Sequence, residues 1–504
     1  MKKILLDYKK ELGLLLSNNY LLLIITITVA LSYGFVLTNP SINPDDTSFF
    51  RYFSGGELIA QGRFMPAILN KLLGGVGFTP FWLAAVCILL MVAAGLLYCC
   101  LFKRVTDNKI NKMCYLLFMP IFISYPLINE IFIFNTALLS IGIGYLLTVI
   151  SIISLYEYIN NEKKLFILLA LPTFLMSLVV STYESFAAVF ILGLVMIIFL
   201  QRLYNSKNMV FDKKYFIKYI SVFVAVLAVA IIIEYIATNI YMETHQITKS
   251  IFAQTSILWL KNGIINNIQP LLNSFYYSFI KIPYNYLSVT ILQIVTVVFI
   301  IYMTIISILR RNYWILVLAV LLFLSVFSLV FVQGVAGPYR TYQAVALFIA
   351  FASIIIYDQT PKKIKPIIFM SILYLLVMQT YDLNKWFYNE NLQYQEEKVV
   401  MLDVAKTIKS KFDITKPVVF IGDHSYSPNI KRAQSNGYPF INWGMTAFYE
   451  PGTELFIYLE MHGQYFVRPN AVQYVRAWDN ISNMDKWPKE NSIMEYQDTI
   501  VVRF

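Results

Sequence analysis

The sequence predicts an all-α polytopic membrane protein of about eleven transmembrane helices, followed by a small extracytoplasmic α/β domain. Of its 504 residues, 58% are hydrophobic and 14% charged, and the mean hydropathy is +0.62. Soluble domains carry about a quarter charged residues. Apolar runs of the roughly 17–25 residues that cross a bilayer recur along the chain. They fall near 20–38, 78–102, 113–128, 137–158, 165–181, 184–201, 218–238, 286–309, 313–333, 342–357 and 366–382. Beyond Tyr381 such runs stop, and residues 384–504 hold 27 of the 69 charged side chains. The expected division is therefore 1–383 in the membrane, with long outer loops at 39–77 and 239–285, and 384–504 outside it.

A net charge of +11 would suit a nucleic-acid partner, but the placement of the charge argues for topology instead. One set of alternate links, from Lys2, Lys3, Lys9 and Lys10 through Arg310 and Arg311 to Lys362, Lys363 and Lys365, holds 20 basic residues. The opposite links hold seven: Arg51, Arg63, Lys71, Lys249, Lys261, Lys281 and Arg340. The positive-inside rule puts the N-terminus in the cytoplasm and the region beyond Tyr381 outside. Leu21–Val36 is too long for a cleaved signal peptide, and no small-residue cleavage site follows it. Cys87, Cys99, Cys100 and Cys114 lie in or near membrane segments, which excludes disulfides and cysteine metal sites from the outer region. No internal repeat is visible.

In chain order, residues 1–19 set leucines against lysines and predict an interfacial amphipathic helix. After the first span comes Ser41-Ile42-Asn43-Pro44-Asp45-Asp46, where Pro44 stops the helix and Asn43 and Asp45 favour a turn. Thr47–Ala60 and Phe64–Leu73, the latter ending at Gly74-Gly75, predict two helices along the outer surface with Gln61-Gly62-Arg63 between them. Tyr183-Glu184-Ser185-Phe186 is a tight outer turn. Glu130 marks another outer link, and Glu234 lies inside the seventh run. The link 239–286 is aromatic and predicts one or two interfacial helices, with a solvated His245. Gly337-Pro338-Tyr339-Arg340 forms the next outer turn. In the tail, Glu396–Phe412 and Glu454–His462 predict helices, Pro417–Gly422 a buried strand, and Ser492–Phe504 a closing hairpin. Asp423-His424 after that strand reads as a turn, since no nucleophile stands beside it.

The chemistry concentrates on the outer side. Two adjacent carboxylates repel, which raises the proton affinity of one of them; such a pair suits a general base or a cation site, or is a solvated loop that ends a helix. Glu184 sits at headgroup depth, where ionisable groups are costly and functional by default, or else anchors a helix end. A guanidinium such as Arg340 suits a phosphate, or snorkels to the interface.

Many spans, an acidic pair in the first outer loop and basic and aromatic residues on neighbouring loops together resemble the GT-C superfamily of integral-membrane glycosyltransferases. Gly34-Phe35 leading through Ser41-Ile42 to Asp45-Asp46, then Gln61-Gly62-Arg63, is similar to the Gtr type II glucosyltransferase family, whose members convert serotype on O-antigen-type glycans. Tyr183-Glu184 and the tail run Trp487-Pro488 to Ser492-Ile493 are softer matches. Phe64 stands where the family tends to carry Trp, which keeps an aromatic platform but changes what a sugar would meet. The resemblance implies a polyprenyl-phosphate sugar donor and a cell-surface glycan acceptor, joined outside the bacterial cytoplasmic membrane, with a small flippase and a donor synthase as partners. Asp45 or Asp46 would be the base, with the other orienting it. Arg63 and Arg340 would stabilise the leaving phosphate, with Lys281 in reserve. Glu184, Gln61 and Tyr339 complete the expected donor site. No cofactor is required by this reading; a divalent cation on the Asp pair stays open, with no metal residues assigned. A transporter or flippase of a lipid-linked sugar is the alternative, and it would need charged or broken helices near the midplane. A membrane-anchored sensor would leave the distant acidic pair unexplained.

Overall fold

The computed structural model describes residues 2–50, 56–72, 78–160, 166–204, 213–248, 258–259, 263–281, 287–428, 439–442, 445 and 452–504. Each of the eleven apolar runs is helical in it. After α1 (Lys2–Leu16) come α2 (Asn19–Thr38), the short α3 (Gly56–Ala60) and α4 (Phe64–Leu72), then α5 (Pro80–Val105), α6 (Met113–Ile123), α7 (Asn129–Ile133) and α8 (Asn135–Asn160). There follow α9 (Ile167–Val180), α10 (Phe186–Tyr204), α11 (Lys213–Thr244), α12 (Ile264–Phe275), α13 (Leu287–Leu309), α14 (Trp314–Val326), α15 (Ser328–Gln333) and α16 (Gln343–Gln359). Among the described residues, seven helices are long and apolar enough to cross a membrane: α2, α5, α8, α10, α11, α13 and the long helix that follows α16. The stretch Met113–Ile128 and helices α9, α14 and α16 are apolar but shorter.

Helix α16 is the axis of the bundle. Every residue from Gln343 to Tyr357 is buried, as expected of a helix that is apolar all round. Around it pack α6, α10 and α13, with α5 and α8 as the next pair and α9 and α11 beyond them. Close approach needs small residues where lipid supplies no hydrophobic drive. A Cβ on Gly142 of α8 would stand 3.0 Å from Cys87 Cα of α5.

The basic links meet at one end. Arg310 donates to the Leu203 carbonyl (2.9 Å) and to Gln359 Oε1 (2.7 Å), and the N–H of Asn111 donates to Asp358 Oδ1 (2.9 Å). Helix α1 lies at this end, where Tyr8 donates to the buried Glu157 and Arg104 pairs with it.

Helix α17 (Lys365–Lys411) spans 47 residues, roughly 70 Å at 1.5 Å per residue, more than twice the hydrocarbon thickness of about 30 Å. The composition changes at 383–384, but the helix does not break there. Its last turns bring Met401, Val404, Ala405 and Ile408 into the core of a three-stranded sheet ordered β1 (Val418–Ile421), β3 (Thr499–Arg503), β2 (Ile493–Tyr496). Strand β1 runs parallel to β3, and β2–β3 form the expected hairpin. One face packs on α17 and α18 (Thr453–Met461), the other on α19 (Ala471–Asn480). The loop after β1 is tied back to α17, since Glu396 accepts the Ser427 N–H at 2.9 Å and lies 3.2 Å from His424 Nε2.

The first loop departs from expectation. Pro44–Phe50 is a 3₁₀ turn rather than the start of an α-helix at Thr47, Gly56–Ala60 is α-helical, and residues 51–55 of the expected Thr47–Ala60 helix lie outside the described residues. Phe53, Gly74, Gly75, Lys249, Lys261 and Tyr284 lie outside the described residues.

Candidate active site

The turn after α2 is built by reciprocal capping. Asn43 Oδ1 accepts the N–H groups of Asp45 (2.8 Å) and Asp46 (3.3 Å), and Asp46 Oδ2 accepts the N–H of Asn43 (3.3 Å). This is a capping box written as Asn-Pro-Asp-Asp, with Pro44 pre-setting the first φ. Thr47 Oγ1 closes it by donating to the Pro44 carbonyl at 2.7 Å.

The start of α8 then anchors the turn. Asn43 Nδ2 donates to the Ile133 carbonyl. Asn135 Nδ2 donates to Asp46 Oδ2 (2.8 Å) and to the Ser41 carbonyl (3.1 Å), and the Thr136 N–H donates to Asp46 Oδ1 (3.2 Å). First-turn N–H groups have no acceptor within their own helix, so Asp46 caps α8 from another segment, at the end where the dipole favours negative charge.

Two neighbouring aspartates thus have opposite surroundings. Asp46 is fully buried, whereas Asp45 is exposed. Burial pushes the Asp46 carboxyl up to about 8, against the pull of the Asn135, Asn43 and Thr136 donors; the charge of Asp45 adds to the rise. A folded carboxyl that holds its proton this tightly gives stability fully present below the unfolded pKa near 3.9 and lost as pH rises through the folded one. The thermal midpoint of the wild type should therefore fall relative to that of Asp46→Asn between about pH 4 and about pH 8. A difference that stays constant over that range would mean that Asp46 is ionised throughout.

The residues just before Asn135 hold Arg340. Glu130, 5% exposed, accepts the Arg340 backbone N–H at Oε2 (2.7 Å) and its Nη1 at Oε1 (3.1 Å). The guanidinium lies 4.8 Å from the Phe134 ring centroid. One short run thus does three jobs: Ile133 receives Asn43, Phe134 carries Arg340, and Asn135 with Thr136 grips Asp46. Tyr339 donates to the Ser278 carbonyl at 3.0 Å, and Gln343 Nε2 to the Arg340 carbonyl at 2.7 Å.

Gln61-Gly62-Arg63 closes α3. The Gly62 N–H reaches the Ile59 carbonyl and the Arg63 N–H the Leu58 carbonyl, a Schellman ending that needs the left-handed φ of 82° at Gly62. Arg63 then lies over the Tyr183 ring at 4.5 Å, with Glu184 exposed beside it. A Cβ on Gly62 would lie 3.5 Å from Glu234 Oε1, which also accepts Thr238 Oγ1 at 2.8 Å. Helix α4 packs on α8 and α3 on α11, so this segment joins the same end of the bundle. Lys281 is exposed and stands 5.8 Å from the Tyr277 ring; its contact is with that ring rather than with the aspartates.

From the other side, α18 packs on the Pro44–Phe50 turn, and Ile42 joins the core of the sheet region. Both oxygens of Asp46 accept N–H donors. Among the described residues, no cluster of three His, Cys, Asp or Glu suits a metal.

The matching family model, Glucosyl transferase GtrII, covers residues 34–357. The chain belongs to this family. Comparisons with curated proteins and with solved structures found no match. The GtrII region opens at the last turns of α2 and closes within α16, so it contains Asp45, Asp46, Gln61, Arg63, Glu184, Lys281, Tyr339 and Arg340. The sheet region lies beyond it. Membership in a glucosyltransferase family makes the chain a glycosyltransferase, with a sugar donor and a glycan acceptor.

Proposed function

We propose that the chain moves a sugar, glucose by preference, from a polyprenyl phosphate to a cell-surface glycan on the extracytoplasmic side of the bacterial cytoplasmic membrane. Asp45 is the general base in this reading. The observation that carries it is the division of labour in the acidic pair: Asp46 is buried under three N–H donors and fixes the turn, while Asp45 is presented on its exposed side. The orientation follows from the basic links, which the positive-inside rule assigns to the cytoplasm.

The acceptor hydroxyl attacks the anomeric carbon, and Asp45 takes its proton as the new C–O bond forms. The bond from the anomeric carbon to the phosphate oxygen breaks, and its electron pair leaves on the phosphate. That leaving group gains negative charge and needs fixed positive charge more than a proton. Arg340, held by Glu130 and Phe134, and Arg63, held on Tyr183, supply it, with Lys281 at the rim. In this reading Glu184, Gln61 and Tyr339 meet the sugar and the headgroup. A single displacement inverts the anomeric configuration. In this reading the sheet region, whose helix α18 packs on the Pro44–Phe50 turn, is the wall on the acceptor side.

The test incubates purified protein in nanodiscs with undecaprenyl-phosphate glucose, or its galactose counterpart, and surface polysaccharide from the host cell, with and without EDTA. Transfer from the glucose donor, inverted in product NMR and indifferent to EDTA, is expected. Transfer from a nucleotide sugar in place of either lipid donor would overturn the proposal.

A further inference from the structure

We infer that the groove between α10, α11 and α14 holds the prenyl chain of the donor, an inference that rests on the function proposed above. The groove measures about 430 Å³, and every side chain lining it is apolar, Phe190, Leu194, Phe223, Ala228, Ile231 and Leu318 among them. A ligand carrying polar groups would lose hydrogen bonds there with nothing to replace them, so the occupant is a hydrocarbon. Along α11 the lining runs from Phe216 to Ile231, roughly 22 Å at 1.5 Å per residue. That shape suits an extended chain.

Its upper end separates the donor's chain from a bilayer lipid's. Ile231 lies one turn below Glu234 on the same face of α11, and Glu234 faces Gly62 of Gln61-Gly62-Arg63. On α10, Phe190 lies one turn below Phe186, which follows directly on the turn that offers Tyr183 to Arg63. A chain seated in the groove therefore brings its phosphate up to Arg63 and the sugar beyond it. The groove is open along its side, where Val224 is 57% and Ile231 44% exposed, so a long chain enters laterally from the membrane.

The experiment compares undecaprenyl-phosphate glucose with citronellyl-phosphate glucose as donors for the wild type, Ile220→Trp and Val224→Trp, lining positions roughly 21 and 15 Å below Glu234 along α11 and beyond the reach of a ten-carbon chain. Val229→Trp, on the same helix and 45% exposed but outside the lining, is the control. Filling the groove should lower kcat/KM for the undecaprenyl donor about tenfold or more, the scale on which losing a few buried methylenes acts, chiefly through KM. Turnover of the citronellyl donor should stay at the wild-type value in all variants, which also shows that they are folded. A long-chain preference left intact in both groove variants, or an equal loss with both donors, would overturn the groove while leaving the donor class standing. A wild type that uses neither prenyl donor would overturn the proposed function and this inference with it.

Discussion

Asp45→Asn is expected to lower kcat for glucosyl transfer by roughly two to four orders of magnitude, the range general-base catalysis supplies, while the protein stays as stable as the wild type. The substitution keeps the size of the side chain and removes its negative charge and with it the capacity to take a proton. Because Asp45 is exposed, its effect on stability should fall within about 0.5 kcal/mol. Asp46→Asn should behave in the opposite way. Asp46 accepts N–H donors at both oxygens, and an amide in its place turns an NH₂ toward at least one of them. A buried donor left without an acceptor costs about 1–3 kcal/mol, and the turn that presents Asp45 loosens. The variant should therefore lose thermal stability and part of its activity together, with the residual activity still abolished by adding Asp45→Asn. The measurement pairs single-turnover transfer with melting in the same nanodiscs. Full activity in Asp45→Asn beside a stable but inactive Asp46→Asn would reverse the two roles.

The parts of this molecule legible in its sequence are those set by local rules. Eleven apolar runs form helices because length and hydropathy decide that without reference to partners. The α17 extension is also there to be read: Asn384–Lys411 contains neither Gly nor Pro, and a change of composition does not end a helix. Asn43-Pro44-Asp45-Asp46 and Gly62 announce their turns for the same local reason. What stays hidden is tertiary. Nothing in the pair Asp45-Asp46 says which carboxylate is buried, because the donors that decide it come from Asn135 and Thr136, 89 and 90 residues away. In the sequence Glu130 reads as a weaker candidate than Glu184, yet it is Glu130 that grips Arg340, 210 residues on. Asn135 escapes a reading for catalytic groups, although a polar residue immediately before an apolar run is a helix-start signal. Glu234 inside an apolar run is a signal too, and its meaning comes only with Gly62 opposite it.

Arg340→Ala is expected to cost about 3–5 kcal/mol of stability as well as donor binding, because Glu130 is left as a buried carboxylate without its guanidinium. Glu130 is 5% exposed and meets both the side chain and the backbone N–H of Arg340. A loss of activity in the single variant would therefore be ambiguous: a misfolded site and a missing phosphate ligand look alike. The double variant Glu130→Gln with Arg340→Met separates them. Neutralising both partners while keeping their volumes removes the unpaired charge, and buried ion pairs replaced in this way are often no less stable than the original. The amide carbonyl that Glu130→Gln introduces can still accept the backbone N–H at position 340. Melting should return toward the wild-type value, while kcat/KM for the polyprenyl donor stays about tenfold or more below it, the worth of one charge-assisted contact to phosphate. If transfer returned together with stability, Arg340 would be a strut that holds α7 against the start of α16. The leaving phosphate would then have to be met by Arg63 and Lys281 alone.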